Sequence, residues 1–75
     1  MGYELYHLKS ANGEDTHVYA LLSTISMWVV KIGLKQDVES TMQSIGLDSQ
    51  TWFNDPINID YNAWNSFMTD INSNK

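Results

Sequence analysis

The sequence contains no arginine and no cysteine, and these two absences narrow the classes of function. Without a guanidinium, the chain lacks the side chain best suited to bidentate contacts with phosphate or guanine. Without a thiol, it has no disulfide, no thiolate nucleophile and no thiolate zinc site. The four lysines are outnumbered by nine carboxylates, which gives a net charge of −5. Such a surface repels a nucleic-acid backbone and favours a cationic protein as the partner.

The sequence also shows no long uninterrupted apolar run, and its first residues do not have the pattern expected of a signal peptide. The longest apolar stretch, residues 18–34, is broken by Ser23, Thr24, Ser26 and Lys31, so it is too polar to span a bilayer. The first ten residues show no basic region followed by an apolar run. We therefore expect one small acidic domain, residues 1–75, in the cytoplasm and with no membrane partner.

Two segments alternate in the way that β-strands do. Residues Tyr3–Lys9 place Tyr3, Leu5 and His7 on one face of a predicted N-terminal strand. Residues 57–61 alternate apolar and polar side chains, and form either a short strand paired with the first or a loop. If the N-terminal strand stood alone, its unpaired edge would recruit a strand from a second copy or from a partner.

The segment between these strands has the apolar spacing of a long central helix. Asp15 or Thr16 is positioned to cap this helix, and Gly33 to end it. Its apolar residues recur at intervals of three and four: Val18, Leu21, Leu22, Ile25, Trp28, Val29 and Ile32.

Three shorter helices are predicted after it. One begins near Asp37 and ends at Gly46, one runs from Asp48 to Asn54 before Pro56, and one follows a cap at Asn58 or Asp60. The expected fold is therefore α+β and mostly helical, with one or two short strands and three to four helices. The expected core is the set Trp28, Trp52, Trp64, Phe53, Phe67, Leu21, Leu22, Ile25, Val29 and Ile45.

Residues 36–54 have the spacing of a helix-turn-helix, with a glycine turn at Gly46. In a DNA-binding version, four polar residues would face the bases: Ser49, Gln50, Thr51 and Asn54. The predicted recognition helix has no basic residue, and Asp48 stands at its entrance. Since phosphate neutralisation supplies much of the affinity for DNA, plain helix packing is the simpler interpretation.

No metal or cofactor site is expected. Residues 58–69 alternate polar side chains like a calcium loop, but Ala63 replaces the turn glycine and Thr69 the bidentate glutamate. The two imidazoles, His7 and His17, lack the tight spacing of a ligand set, even with Glu14 or Asp15 nearby. We interpret the alternating polar residues as caps and solvated positions of the last helix.

Catalysis is not expected either. Ser10 or Ser23, together with His17 and Asp15, supplies the three residue types of a nucleophilic triad. No sharp nucleophile turn or oxyanion signature accompanies them, and the glycines do not form a phosphate-binding loop. The sequence therefore predicts a non-enzymatic protein.

The remaining candidate feature is the set of carboxylates at helix starts and in loops. We expect six of them to contact a partner: Glu14, Asp15, Asp37, Glu39, Asp48 and Asp55. Individually they can act as caps, and together they can form a negative face that meets a basic surface.

These observations predict a monomeric or homodimeric inhibitor or regulator of a protein. It would occupy the partner's basic, nucleic-acid-binding surface as a nucleic-acid mimic, without binding nucleic acid itself. Its size and charge fit a small phage or mobile-element product that disables a host nucleic-acid enzyme. The alternative hypothesis is a small helix-turn-helix-like transcriptional regulator that binds DNA.

Overall fold

The structure is a computed structural model that describes residues 2–73. Its elements in chain order are β1 (Tyr3–Lys9), β2 (Asp15–Ser23), β3 (Trp28–Leu34), α1 (Lys35–Ser44), α2 (Ser49–Asn54), β4 (Ile57–Asp60) and α3 (Tyr61–Ser73). No helix within residues 2–73 has both the length and the apolar character that crossing a bilayer requires.

The four strands form one mixed sheet in the order β3-β2-β1-β4. The pairs β1–β2 and β2–β3 are antiparallel, whereas β4 runs parallel to β1 with Tyr6 opposite Ile57. Helices α1 and α2 cover one face of the sheet, and α3 covers the other. The expectation of a mostly helical fold with one or two strands is therefore wrong, because the molecule is an α+β sandwich around a four-stranded sheet.

The error lies in residues 15–34, which form the hairpin β2–β3 instead of a long helix. Along β2, Ala20 and Leu22 pack into the cluster under α3, while Leu21 packs into the cluster under α1. A strand covered on both faces needs apolar residues at consecutive positions, so it loses the alternation that marks a half-exposed strand. The continuous run of apolar residues then also contains the intervals of three and four that mark a helix. Only the β-branched and aromatic content of the segment favours a hairpin.

A tight turn joins the two strands. Met27 has a φ of 53°, a left-handed conformation that ends any helical path through this segment. The amide of Thr24 donates to the carbonyl of Gly2 at 2.8 Å, which fixes the end of β2 against the start of β1. The residue chosen as a helix terminator, Gly33, lies within β3 opposite Tyr19.

The N-terminal strand and the three later helices are confirmed. The strand predicted at residues 3–9 is β1, and it is a central strand with partners on both sides, so the open edge considered for it is absent from the described residues. Residues 57–60 form β4, so the strand is correct and the loop is not. The Oδ1 atom of Asp60 accepts from the amide of Ala63 at 2.7 Å, and so caps the first turn of α3.

The core is divided into two clusters by the sheet. One contains Tyr6, Leu8, Ala20, Leu22 and Trp64; the other contains Leu5, Leu21, Val38 and Met42. Of the predicted core, Leu21, Leu22 and Trp64 are buried, and Trp52, Phe53, Phe67 and Val29 are half-buried. Three predicted members are exposed, because Ile25 lies in the hairpin turn, Trp28 at the start of an edge strand and Ile45 at the end of α1.

Candidate functional site

The layer formed by α1 and α2 carries four of the six carboxylates predicted to contact a partner. These are Asp37, Glu39, Asp48 and Asp55, and the only cation within residues 35–55 is Lys35. Asp37, Asp48 and Asp55 are exposed, and Glu39 is half-buried. Within residues 2–73 the one ion pair, Lys9–Asp15, lies elsewhere, so the four carboxylates of this layer form no ion pair and outnumber its single lysine.

Helix α1 presents three different faces. Val38 and Met42 are buried against the sheet, which fixes the rotation of the helix. Lys35, Glu39 and Gln43 follow one another at a spacing of four residues and therefore lie in a row, which faces α2. The carboxylate of Asp37 lies on another side, where its Oδ2 is 3.9 Å from the position that a Cβ on Gly33 would occupy.

A polar groove of about 470 Å³ separates α1 from α2. It is lined by Lys35, Glu39, Gln43, Ser49, Gln50, Phe53 and Asn54. The hydroxyl of Ser49 donates to Oε2 of Glu39 at 3.5 Å, and the Nζ of Lys35 lies 5.2 Å from the centre of the Phe53 ring. A carboxylate beside amide groups and an aromatic face is the combination that recognises a guanidinium or ammonium group.

The two remaining predicted residues, Glu14 and Asp15, lie at the turn between β1 and β2. The hydrogen bond and positive charge of Lys9 lower the pKa of Asp15, so its carboxylate is already paired. The amide of Glu14 donates to Oγ of Ser10 at 3.0 Å, which fixes the turn locally. The structure thus places these two residues in a separate turn, outside the lining of the α1–α2 groove.

The helix-turn-helix spacing does produce two helices joined at Gly46, but the second is short. Helix α2 has six residues, and its Trp52 and Phe53 pack against the sheet cluster under α1. Of the four side chains predicted to face DNA, Ser49 is buried, and Gln50, Thr51 and Asn54 are exposed. This arrangement is that of a helix pair packed on a sheet, and the segment that forms it is strongly acidic.

Two of the residues considered for metal binding and catalysis, His7 and Ser10, make structural contacts. The ring of His7 stacks on Tyr19 at 4.4 Å, and its Nε2 lies 2.7 Å from the carbonyl of Thr16. Ser10 Oγ hydrogen-bonds within its own turn. Residues 58–69 are divided between β4 and α3, so they do not form a loop. Over the described part of the chain, no group of three or more ionisable ligands is placed to hold a metal.

One surface was missed by the sequence analysis, namely the outer edge of the sheet at β3. Ile32 and Leu34 lie opposite Ala20 and Val18, on the face that α3 covers elsewhere. Helix α3 packs on β1 and β4, so these two side chains remain 46% and 49% exposed. The signal available in the sequence was the density of β-branched residues within residues 29–32, a segment that the helical spacing assigned to the long helix.

Comparison with protein-family models, with curated proteins and with solved structures found no match to the chain. The function is therefore inferred from its surfaces alone.

Proposed function

We propose that the protein is a non-enzymatic, cytoplasmic binding module that inhibits or regulates a partner protein by covering its basic surface. The observation that carries this proposal is the charge of the α1–α2 layer, with four carboxylates against one lysine. Two of the carboxylates lie in α1 and the other two flank α2, so the negative charges are spaced along this layer as phosphates are spaced along a nucleic-acid strand. A protein surface that normally binds nucleic acid would meet complementary charge there.

The groove gives this surface a specific point of contact. Glu39 is half-buried in the groove that Phe53 also lines, so a cation that reaches it is partly removed from water, and the attraction is stronger than at an exposed carboxylate. Lys35 lies over the same ring and would be displaced when a cation of the partner enters. The groove therefore favours an arginine of the partner, whose planar group can stack on the ring and bond to the carboxylate together.

Two substitution pairs test the proposal with the same change in net charge. The pair Asp37→Asn with Glu39→Gln neutralises α1, whereas Glu14→Gln with Asp70→Asn neutralises exposed positions in the β1–β2 turn and in α3. The probe is a fluorescent oligo-arginine peptide at low salt, measured by anisotropy. We expect the α1 pair to lose about 5- to 30-fold in affinity, from roughly 1–2 kcal/mol of lost attraction, and the control pair to lose less than about threefold.

Equal losses for the two pairs would show that the peptide responds only to net charge, and would contradict a defined binding layer. Loss of binding with rising salt is expected, because the contacts are between partly exposed charges. Salt-insensitive binding would also contradict the proposal.

DNA binding by the α1–α2 pair is the competing function, and a gel-retardation assay decides between them. The two helices and the Gly46 turn are present, but Asp37, Asp48 and Asp55 would lie near the phosphates. We expect no retardation of random duplex at low salt, where electrostatic binding to DNA is strongest. Retardation there would favour the DNA-binding alternative.

A further inference from the structure

We propose that the outer edge of β3 pairs with the β3 edge of a second copy, which joins two four-stranded sheets into one continuous sheet across a homodimer. Strand β3 stands at one end of the sheet, so its outer side has no neighbouring strand within residues 2–73. An edge of this kind is a template for another strand. The proposal goes beyond the acidic surface, because it concerns the edge of the sheet and a partner of a different kind.

The side chains of β3 are unusually apolar for an exposed edge. Ile32 and Leu34 are half-exposed on the face toward α3, and Lys31 is the single charged residue of the strand. Natural edge strands are generally protected by several charges, a proline or a covering helix. Here α3 lies over β1 and β4, and the uncovered apolar side chains are available for burial in a second copy.

Among axes at residues 30–33, the charge of Lys31 and the bulge in the β2–β3 pairing leave one register. Residues directly opposite in an antiparallel pair point to the same face, so a two-fold axis through the sheet places one residue of β3 against itself. An axis at Lys31 opposes two lysines, and an axis at Gly33 sets Lys31 against Lys35 of the other copy. An axis at Val30 falls on the bulge where the β2–β3 register shifts, which interrupts a regular ladder.

An axis at Ile32 avoids both lysine contacts, leaves the bulge residue Val30 outside a regular ladder of residues 31–33, and creates complementary charge. It places Ile32 against Ile32 on the α3 side and Lys31 against Gly33 of the second copy. Lys31 lies opposite Leu21 and therefore points to the α1 side. The Asp37 carboxylate lies over Gly33 on that same side, where the absent side chain leaves room for an incoming lysine. Two symmetric Lys31–Asp37 ion pairs would then join the copies.

Charge reversal tests this register between molecules. Lys31→Asp alone places two carboxylates together at each contact, and Asp37→Lys alone places two lysines together. Each variant should self-associate at least about tenfold more weakly than the wild type. Sedimentation from micromolar to millimolar protein measures this effect.

A mixture of the two variants should form a heterodimer, because both of its contacts are attractive. At one contact the aspartate introduced at position 31 meets the lysine introduced at position 37. At the other, the native Lys31 of one copy meets the native Asp37 of the second copy. The Lys31→Asp variant carries a fluorescent label, and unlabelled Asp37→Lys is added to it in steps. Sedimentation of the label then reports the heterodimer, because homodimers of the unlabelled variant give no signal.

The control mixture combines labelled Lys31→Asp with unlabelled Asp70→Lys. This second variant has the same net charge as Asp37→Lys but reverses the exposed Asp70 on α3. The control heterodimer has one attractive and one repulsive contact, so it should form more weakly than the heterodimer of the matched mixture. A further variant, Ile32→Lys, should abolish the wild-type dimer, whereas Ile45→Lys, at a similarly exposed isoleucine, should keep it. Circular dichroism of every variant confirms that the fold is retained.

A wild-type protein that is monomeric throughout this range would overturn the proposal. So would a dimer in which the reversed variants associate as strongly as the wild type, or one in which the control mixture pairs as well as the matched mixture. Each of these outcomes leaves the localisation of oligo-arginine binding to the α1–α2 layer unaffected, so the two proposals fail separately.

Discussion

The rings of Tyr6 and Trp64 lie with their centres 5.2 Å apart and their planes tilted by 56°, and they join the central strand to the last helix. Phe67 completes the group at 6.0 Å from both rings. Trp64 is 4% exposed, so this contact is the main anchor of α3 on the sheet. Removing its side chain would leave a large cavity in the cluster that contains Leu8 and Leu22.

We expect Trp64→Ala to lower the free energy of unfolding by about 3–5 kcal/mol, because a buried aromatic is replaced by a cavity. In a small domain this loss can be enough to unfold the chain. The matched substitution is Trp28→Ala, at a tryptophan that is 61% exposed, and it should cost less than about 1 kcal/mol. Urea denaturation followed by circular dichroism measures both. Equal losses for the two variants would contradict the division between buried and exposed tryptophan.

The hairpin turn can be tested at Met27, whose left-handed backbone is unfavourable for a residue with a side chain. We expect Met27→Gly to leave the protein as stable as the wild type or up to about 1 kcal/mol more stable, because glycine adopts this conformation without strain. In the long helix that the sequence predicts, the same substitution would cost about 1 kcal/mol. A loss of that size, measured by urea denaturation, would favour the helix over the hairpin.

The stability of the fold at high pH should depend on Tyr6. Burial, reinforced by the nearby Glu4 carboxylate, raises the pKa of Tyr6 above its ordinary value of 10.0. The unfolded chain then releases this proton at lower pH than the folded chain does, so stability falls as the pH rises above 10.0 toward the raised pKa.

Tyr6→Phe removes this ionisation while keeping most of the ring contacts. We therefore expect the free energy of unfolding of the variant to decrease less than that of the wild type between about pH 9 and pH 11, a range that spans the ordinary tyrosine pKa of about 10. Parallel urea titrations at each pH measure the difference. Identical decreases in the two proteins would show that Tyr6 does not contribute.

Those parts of the fold whose side chains follow a single period were predictable. Residues 3–9 alternate clearly enough to predict β1, and the stripe from Tyr61 to Ile71 predicts α3. The hairpin was not predictable in this way, because the apolar residues from Val18 to Ile32 recur at intervals of three and four and so also satisfy a helical period. Whether a continuous apolar run forms a helix or a strand depends on the elements that pack against it, and this packing is part of the tertiary structure.

The candidate surfaces also differ in how far the sequence alone could predict them. Asp37, Asp48 and Asp55 are exposed near helix ends, as their positions in the sequence predict, whereas Glu39 lies inside α1 and is half-buried. The role of these four residues in partner binding stays a prediction. The groove beside them depends on how α2 returns against α1, with Phe53 packed on the sheet. The β3 edge could not be found from a segment assigned to a helix. The closeness of Gly33 to Asp37 follows because α1 begins at Lys35, directly after β3 ends at Leu34.

The most direct test of the acidic layer is a map of amide chemical shifts during titration of the labelled protein with oligo-arginine. At low salt, we expect the largest changes within residues 35–55, centred on Glu39 and Phe53, with small changes along α3. At about 1 M salt, where the Debye length is about 3 Å, the changes should largely disappear. Changes concentrated in α3, or changes of equal size across the whole surface at low salt, would contradict the assignment of partner binding to the α1–α2 layer.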